Sequence, residues 1–374
     1  MANTLNLGTD GNWATKEDSL LAYNSENGNF KPLPFDFTRA SSATVVNKAG
    51  LIETVGSGEP RIDFKDDAKG ALLLEPSRSN LITYSEDFSN AYWSKNGGTT
   101  IINNFAISPD GTLNASRYLG TGTSGLGIQF TTSLGLSYTV SFYVKSNVGI
   151  NQSCRLIFDS SNISSDFIVT TEWQKISFTS VSSGASNKTC GIFRDSSDND
   201  LDILIYGAQL EQSSYPTSYI PTQGSAVTRV ADNCSIDNLD DYVSSGTSWT
   251  ATGEFIKGQD KDNSLYIFYA KHLASSNLFR IRDFANYVSF YLFIPIQSNI
   301  NYGSSLGDTI KWAIRAKSDG SYSVYVNGVS RAEANGTFQK LDKYTINGSA
   351  KNKIKDLRVY NTALTDAELQ ALTT

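Results

Sequence analysis

The sequence predicts an all-β protein: two tandem β-sandwiches after a largely irregular N-terminal segment, with one short helix at the C-terminal end. Three observations carry this. Only 18% of the 374 residues are charged, and Ser, Thr, Asn and Gly take their place, which suits short strands and polar turns better than long helices. Apolar residues recur with a period of two in runs of six to eight, separated by turn clusters. The length exceeds one ordinary domain, and 19 Tyr and 19 Phe supply enough large side chains for more than one core.

Residues 1–80 are punctuated by Gly, Asn and Pro and hold few strong periodic runs. Asp18 to Tyr23 reads equally as a short helix or a strand, and Pro32 and Pro34 exclude a helix beyond it. This segment is expected to pack on a neighbour rather than fold alone, so that its removal should leave residues 81–374 folded. Arg39 and Arg61 lie among small and apolar residues, where a guanidinium needs a carboxylate such as Asp36, Asp63 or Glu75.

Residues 81–225 carry clear strand signals. Tyr138, Val140, Phe142 and Val144 alternate with Thr139, Ser141, Tyr143 and Lys145, which describes a strand with one wet face. Trp173 to Thr179 alternates in the same way, and the nearly unbroken apolar run from Leu201 to Tyr206 suits a central strand. This spacing fits a sandwich or jelly roll.

Residues 226–374 form the third part. Trp312, Ile314 and Ala316 share one strand face, Asp319-Gly320 turns the chain, and Tyr322, Val324 and Val326 return before a second turn at Asn327-Gly328. Ile354 to Tyr360 is the last strand. Thr365 and Glu368 then form a capping box for the closing helix, with Leu364 and Leu369 at the staple positions.

The charge and residue inventory excludes several functions. A formal net charge of −6 without a long basic run excludes a nucleic-acid partner. No apolar run approaches the ~20 residues needed to span a bilayer, and the first residues lack a basic start and apolar core, so neither membrane insertion nor signal-directed export is expected. His272 is the one histidine, and no nucleophile elbow, phosphate loop or dinucleotide fingerprint accompanies it. Glu254, Glu333 and Glu368 are scattered, without the close carboxylate pairing of a glycosidase. No catalysis is expected. Cys154, Cys190 and Cys234 lack metal-ligand spacing and read as buried thiols.

Two sets of residues remain as candidates. Sugar binding needs flat rings for pyranose faces and polar groups for hydroxyls. Tyr143 stands on the polar side of its strand. Val288, Phe290 and Leu292 should point inward, which leaves Tyr287 and Tyr291 on the opposite side; the alternative is that these tyrosines cover a second sheet or a subunit contact. The second set, Asp195, Asp198 and Asp200, could offer oxygens to calcium, although it departs from the EF-hand pattern and a solvated turn explains it equally well. No other cofactor is indicated.

Particular phrases add a family resemblance. Phe35-Asp-Phe-Thr-Arg-Ala-Ser-Ser-Ala-Thr, Glu59-Pro-Arg-Ile-Asp-Phe, Gly70-Ala-Leu-Leu-Leu-Glu-Pro-Ser-Arg-Ser-Asn-Leu and Tyr84-Ser-Glu-Asp-Phe-Ser-Asn-Ala-Tyr-Trp follow one another. Gly207-Ala-Gln-Leu-Glu and Tyr215-Pro-Thr-Ser-Tyr-Ile-Pro-Thr close the middle region. This order resembles modules in structural proteins of tailed bacteriophages and prophages. The middle region resembles the galactose-binding-like jelly rolls of carbohydrate-binding modules. Gly320-Ser-Tyr-Ser-Val-Tyr-Val-Asn-Gly with Lys355-Asp-Leu-Arg-Val-Tyr-Asn-Thr-Ala-Leu-Thr-Asp-Ala-Glu-Leu resembles the C-terminal half of a laminin-G or concanavalin A-like sandwich.

The resemblance implies a jelly roll followed by a concanavalin A-like sandwich in a virion fibre, appendage or decoration protein. Residues 1–80 would attach it to other virion proteins, and the sandwiches would bind host-surface or environmental glycans without catalysis. Avidity from several weak sites favours a homo-oligomer, a trimer being the expected form. The alternatives are a purely structural virion subunit and a secreted bacterial adhesin or glycosidase accessory module.

Overall fold

Leu5 and Leu7 alternate with Thr4 and Asn6, and this period of two makes Thr4–Leu7 a strand with apolar side chains to bury. The computed structural model describes the chain apart from residues 1–3, 17–18, 25–28, 160–161, 185–186, 196–199, 237–247, 259–264, 273–275, 285, 293–297, 337–340, 342 and 348–350. Thr4–Leu7 pairs antiparallel with Asn352–Tyr360, setting Leu5 opposite Val359 and Leu7 opposite Leu357. The beginning of the chain therefore completes a sheet built by its end. Two units result: residues 1–48, 55–77 and 230–374 form one, and residues 49–54 with 78–229 form the other.

The expectation of a separate 1–80 segment is corrected by this pairing. The segment lacks long periodic runs because most of its strands are short, and several of them take partners from the C-terminal region. Ala71–Leu74 pairs with the start of Asn352–Tyr360, and Asn29–Thr38 pairs with Asn233–Ile236. Ser19–Asn24, left open between helix and strand by sequence, is a strand joining Thr4–Leu7 to Asn29–Thr38.

The first unit is a two-layered sandwich. One layer runs antiparallel through Ser298–Gly303, Tyr287–Leu292, Ser276–Phe284, Leu265–His272, Lys343–Asn347, Asn233–Ile236 and Asn29–Thr38. The other runs through Val329–Asn335, Ser321–Val326, Thr309–Ala316, Trp249–Ile256 and Asn352–Tyr360. Trp249, Trp312, Phe268, Phe279 and Tyr344 interlock between them, with centroids 5.3 to 6.2 Å apart. The Asn327-Gly328 turn has φ of 46° and 77°, the left-handed pair that a two-residue hairpin loop requires. The closing helix, Asp366–Thr373, carries the expected capping box between Thr365 and Glu368.

A buried charge cluster ties the segments of this unit together. Asp232 accepts from Arg39 at 3.0 Å and from Arg61, while Arg61 also bonds Glu75 at 2.8 Å; all four side chains are fully buried. Of the expected partners only Glu75 is used here. Asp36 is exposed and Asp63 pairs with Lys353.

The second unit is built around Ala115–Thr131, a strand of 17 residues. Its first part pairs with Leu201–Glu211 and its second with Asn187–Arg194, so it serves both halves of the unit, and Ser94–Ala106 lies along it. Leu201–Glu211 continues to Ser137–Ser146 and Gln174–Val181, and Asn187–Arg194 continues to Gln152–Asp159. Tyr138, Val140, Phe142 and Val144 are buried as their alternation requires. Cys154, Cys190 and Cys234 are buried free thiols, and burial pushes that of Cys154 up to about 12.

The phrases opening and closing this unit fasten its two ends. Asn80 donates to the carbonyls of Ala208 and Ile220 and accepts from the amides of Ile82 and Leu210. Gln209 accepts from Ile220 N, Glu211 accepts from Thr217, and Ser85 bonds Tyr219 and Thr222. Gly207, at φ +59°, occupies a bulge where the register slips opposite Phe142. Replacing Asn80 with alanine strands several buried backbone groups and is expected to cost about 3 kcal/mol. Denaturant unfolding of the full chain, followed through the buried Trp93, checks this; a loss below about 1 kcal/mol would show the fastening to be dispensable.

Candidate functional site

The strand Tyr287–Leu292 sends Val288, Phe290 and Leu292 into the core, and the alternation leaves Tyr287, Ser289 and Tyr291 on the opposite face. Register then extends this face across the layer. Tyr291 lies opposite Arg280, Arg280 opposite Tyr269, Tyr269 opposite Thr345, Thr345 opposite Ser235, and Ser235 opposite Asp36. Each belongs to a different strand, so the six form one line perpendicular to the strands, of polar groups with two tyrosine rings among them.

Packing fixes the rings. The Arg280 guanidinium carbon lies 4.8 Å from the Tyr291 centroid, and that of Arg282 lies 5.3 Å from Phe284. Phe284 and Tyr287 stack with centroids 4.3 Å apart and planes 15° apart. Tyr287 and Tyr291 are half-buried, and Ser289 between them is buried. The two tyrosines are separated by about 13 Å along the strand, which an oligosaccharide can bridge and one sugar ring cannot. Thr345, also buried, has a hydroxyl without a hydrogen-bond partner among the described residues.

Sequence reasoning reached Tyr287 and Tyr291 and missed Arg280, Arg282, Tyr269 and Thr345. The arginines were accessible: Phe279 and Ile281 alternate with them, which puts both on the wet face. Thr345 and Tyr269 enter only through long-range register.

Tyr143 belongs to the other unit and is not an open platform. Its ring meets Tyr206 at 6.1 Å and Tyr219 at 6.4 Å, and the Lys175 ammonium stands 5.4 Å above it. A tyrosine on a polar strand face is here covered by the segment that closes the unit. Asp195 and Asp200 line a cavity with Gln152 and Ser153, whereas Asp198 lies outside the described residues. Among the described residues no group of three His, Cys, Asp or Glu is arranged to hold a metal ion. Glu254 is paired with Lys355 at 2.7 Å and Glu368 is engaged in the helix cap. Among the described residues no helix is long and apolar enough to cross a membrane.

No protein-family model matches the chain, and no curated protein sequence matches it. Partial likenesses exist among solved structures. A mutant Trypanosoma rangeli sialidase displaying trans-sialidase activity is 14% identical over 33% of this chain and 22% of its own, at a TM-score of 0.29. The receptor-binding domain of botulinum neurotoxin C/D mosaic serotype is 12% identical over 38% of this chain and 40% of its own, at 0.31. The CBM40 of Ruminococcus gnavus IT-sialidase is 16% identical over 34% of this chain and 83% of its own, at 0.28. This chain thus spans well under half of the first two. Similarity of this extent assigns no ligand. The class defined by strands, register and packing is an all-β protein of sandwich type.

Proposed function

We propose that the protein is a bacteriophage virion component of fibre, appendage or decoration type that adheres to host-surface or environmental glycans without a catalytic step. The observation that carries the adhesive part is the transverse line on the first unit, in which Tyr291 and Arg280 stand in register with Tyr269, Thr345, Ser235 and Asp36. Rings supply apolar surface for pyranose faces, and the hydroxyl, guanidinium and carboxylate groups beside them match sugar hydroxyls. The virion assignment is supported by the ordered phrases between Phe35 and Trp93 and between Gly207 and Thr222. Homotrimers would raise the avidity of such a face.

The test replaces Tyr287 and Tyr291 together with alanine in the full chain, screened on immobilised glycans. Binding is expected to fall at least tenfold while the melting temperature shifts only slightly, as for half-exposed positions. A large loss of melting temperature with no glycan bound by the parent protein would favour a second reading, in which this half-buried face packs against other virion proteins. Labelling of intact particles and solution mass test the virion and trimer assignments; a monomer at micromolar concentration contradicts the latter.

A further inference from the structure

Alternation along two strands brings opposite charges face to face inside the first unit. Trp249, Ala251 and Phe255 turn inward from Trp249–Ile256, and the same period carries the next residue but one, Lys257, inward as well. In the facing layer Phe279 and Ile281 turn inward from Ser276–Phe284, and Asp283 follows them. The two side chains meet between the layers, Nζ to Oδ1 at 3.3 Å, with 2% and 0% of their surface exposed. The ammonium also donates to the Phe284 carbonyl, to those of Tyr287 at 3.4 Å and Ser304 at 3.2 Å, and to the Ser304 hydroxyl at 3.2 Å.

We propose that these oxygens form a cation site that the chain fills with its own ammonium, and that Lys257 is thereby a positioning residue for the hairpin bearing Tyr287. The positioning role rests on the adhesive reading of the face that includes Tyr287, whereas the cation site does not. Carbonyls from two loops, a hydroxyl and a carboxylate are the donor set that surrounds a bound metal ion. An ammonium has three protons, so these acceptors share them around a compact charge, an arrangement that the planar fork of an arginine cannot serve. Width then selects the ion. Calcium draws its ligands in to about 2.3–2.6 Å and magnesium closer still, so oxygens mostly 3.2–3.4 Å from the centre suit a large monovalent ion, ammonium or potassium.

The oxygens come from the residues that shape the hairpin. Phe284 and Tyr287 lie opposite each other at its turn, with their rings stacked. Ser304 donates its amide to the Asn286 carbonyl at 3.0 Å, inside the same turn. The lysine backbone is itself fixed, since Lys257 N donates to Asp308 O at 2.8 Å and Lys257 O accepts from Gly307 N at 2.9 Å. Lys257 therefore ties the end of one layer to two loops of the other. A charge carried by the chain cannot be stripped by a chelator or diluted away.

The test uses two variants of the full chain. Lys257→Ala removes the ammonium and leaves room for an ion, whereas Lys257→Met fills the space without charge. Melting is followed in choline, ammonium, potassium and calcium chlorides at equal ionic strength. In choline both variants are expected to melt roughly 10 °C below the parent. Ammonium or potassium should return at least half of that loss to Lys257→Ala and nothing to Lys257→Met, and the parent should respond to neither. If Lys257→Ala does not fold in choline, refolding in ammonium but not in choline is the expected result. An unshifted Lys257→Met, no recovery of Lys257→Ala in ammonium or potassium, or recovery in calcium alone would each overturn the cation site. For a glycan bound by the parent, Lys257→Ala should bind about tenfold more weakly in choline and regain affinity in ammonium. Parental affinity in choline despite the lowered melting temperature would overturn the positioning role. A parent chain that binds no glycan removes the adhesive reading, and the melting series still decides the cation site.

Discussion

Removal of residues 1–77 is expected to unfold the C-terminal sandwich rather than release it as an intact domain. Leu5, Leu7, Leu20, Phe35, Phe37, Leu72 and Leu74 all lie buried in its core beside Trp249, Trp312 and Val359. At about 2 kcal/mol for each buried apolar side chain, these seven together match the net stability of a typical domain, about 5–15 kcal/mol. The deletion also bares one edge of Asn352–Tyr360 and removes Arg39 and Arg61, which pair with Asp232. Calorimetry of residues 78–374 should therefore lose the transition of the first unit and keep that of the second, lowered by the loss of residues 49–54 and the buried Ile52. Two cooperative transitions with parental enthalpies would sink this expectation.

A single substitution should do much of the same damage. Asp232→Ala removes the carboxylate that pairs with both Arg39 and Arg61 while the two guanidinium groups stay buried. Breaking a buried ion pair by removing one partner costs about 3–5 kcal/mol, because the remaining charge loses its compensation while still out of water. For a unit of this size the loss lowers the melting temperature by roughly 10 °C. Asp232→Asn should cost less, since it retains an acceptor for one guanidinium and for the Glu75 amide, which donates to Asp232 at 2.8 Å. The effect should persist at high ionic strength, unlike that of an exposed pair. A shift under 2 °C for the alanine variant would mean that water reaches the cluster and solvates the two arginines.

The sequence made the strands legible wherever apolar residues alternate with polar ones, including strands such as Ser137–Ser146 and Ser321–Val326 whose polar side is largely buried as well. Tyr138 to Lys145, Ser321 to Val326 and Ile354 to Tyr360 all lie in strands, and the closing helix was written in Thr365 and Glu368. Partnership was not legible. Nothing local to Leu5 indicates Val359 as its neighbour, and nothing in the phrase around Arg61 points to Asp232. The candidate site divides in the same way. Tyr287 and Tyr291 follow from a period of two, and so would Arg280 and Arg282. Tyr269, Thr345 and Ser235 join the line only once register across several strands is known. Tyr143 misled because alternation reports which side of a strand a ring occupies, and not whether a later segment covers that side.

The nesting of residues 78–229 inside the other unit sets an order of events during synthesis. Strands made early wait longest: Thr4–Leu7 cannot meet Asn352–Tyr360 until all the residues between them have been made. At ribosomal speeds of ~5–20 residues per second, that wait is on the order of tens of seconds. The nested unit, nearly contiguous in sequence, can complete itself meanwhile, before the other unit has all of its strands. For that interval the nascent chain carries Leu5, Leu20, Phe35 and Phe37 without the C-terminal strands that share their core, and strand edges of other copies can substitute for its own.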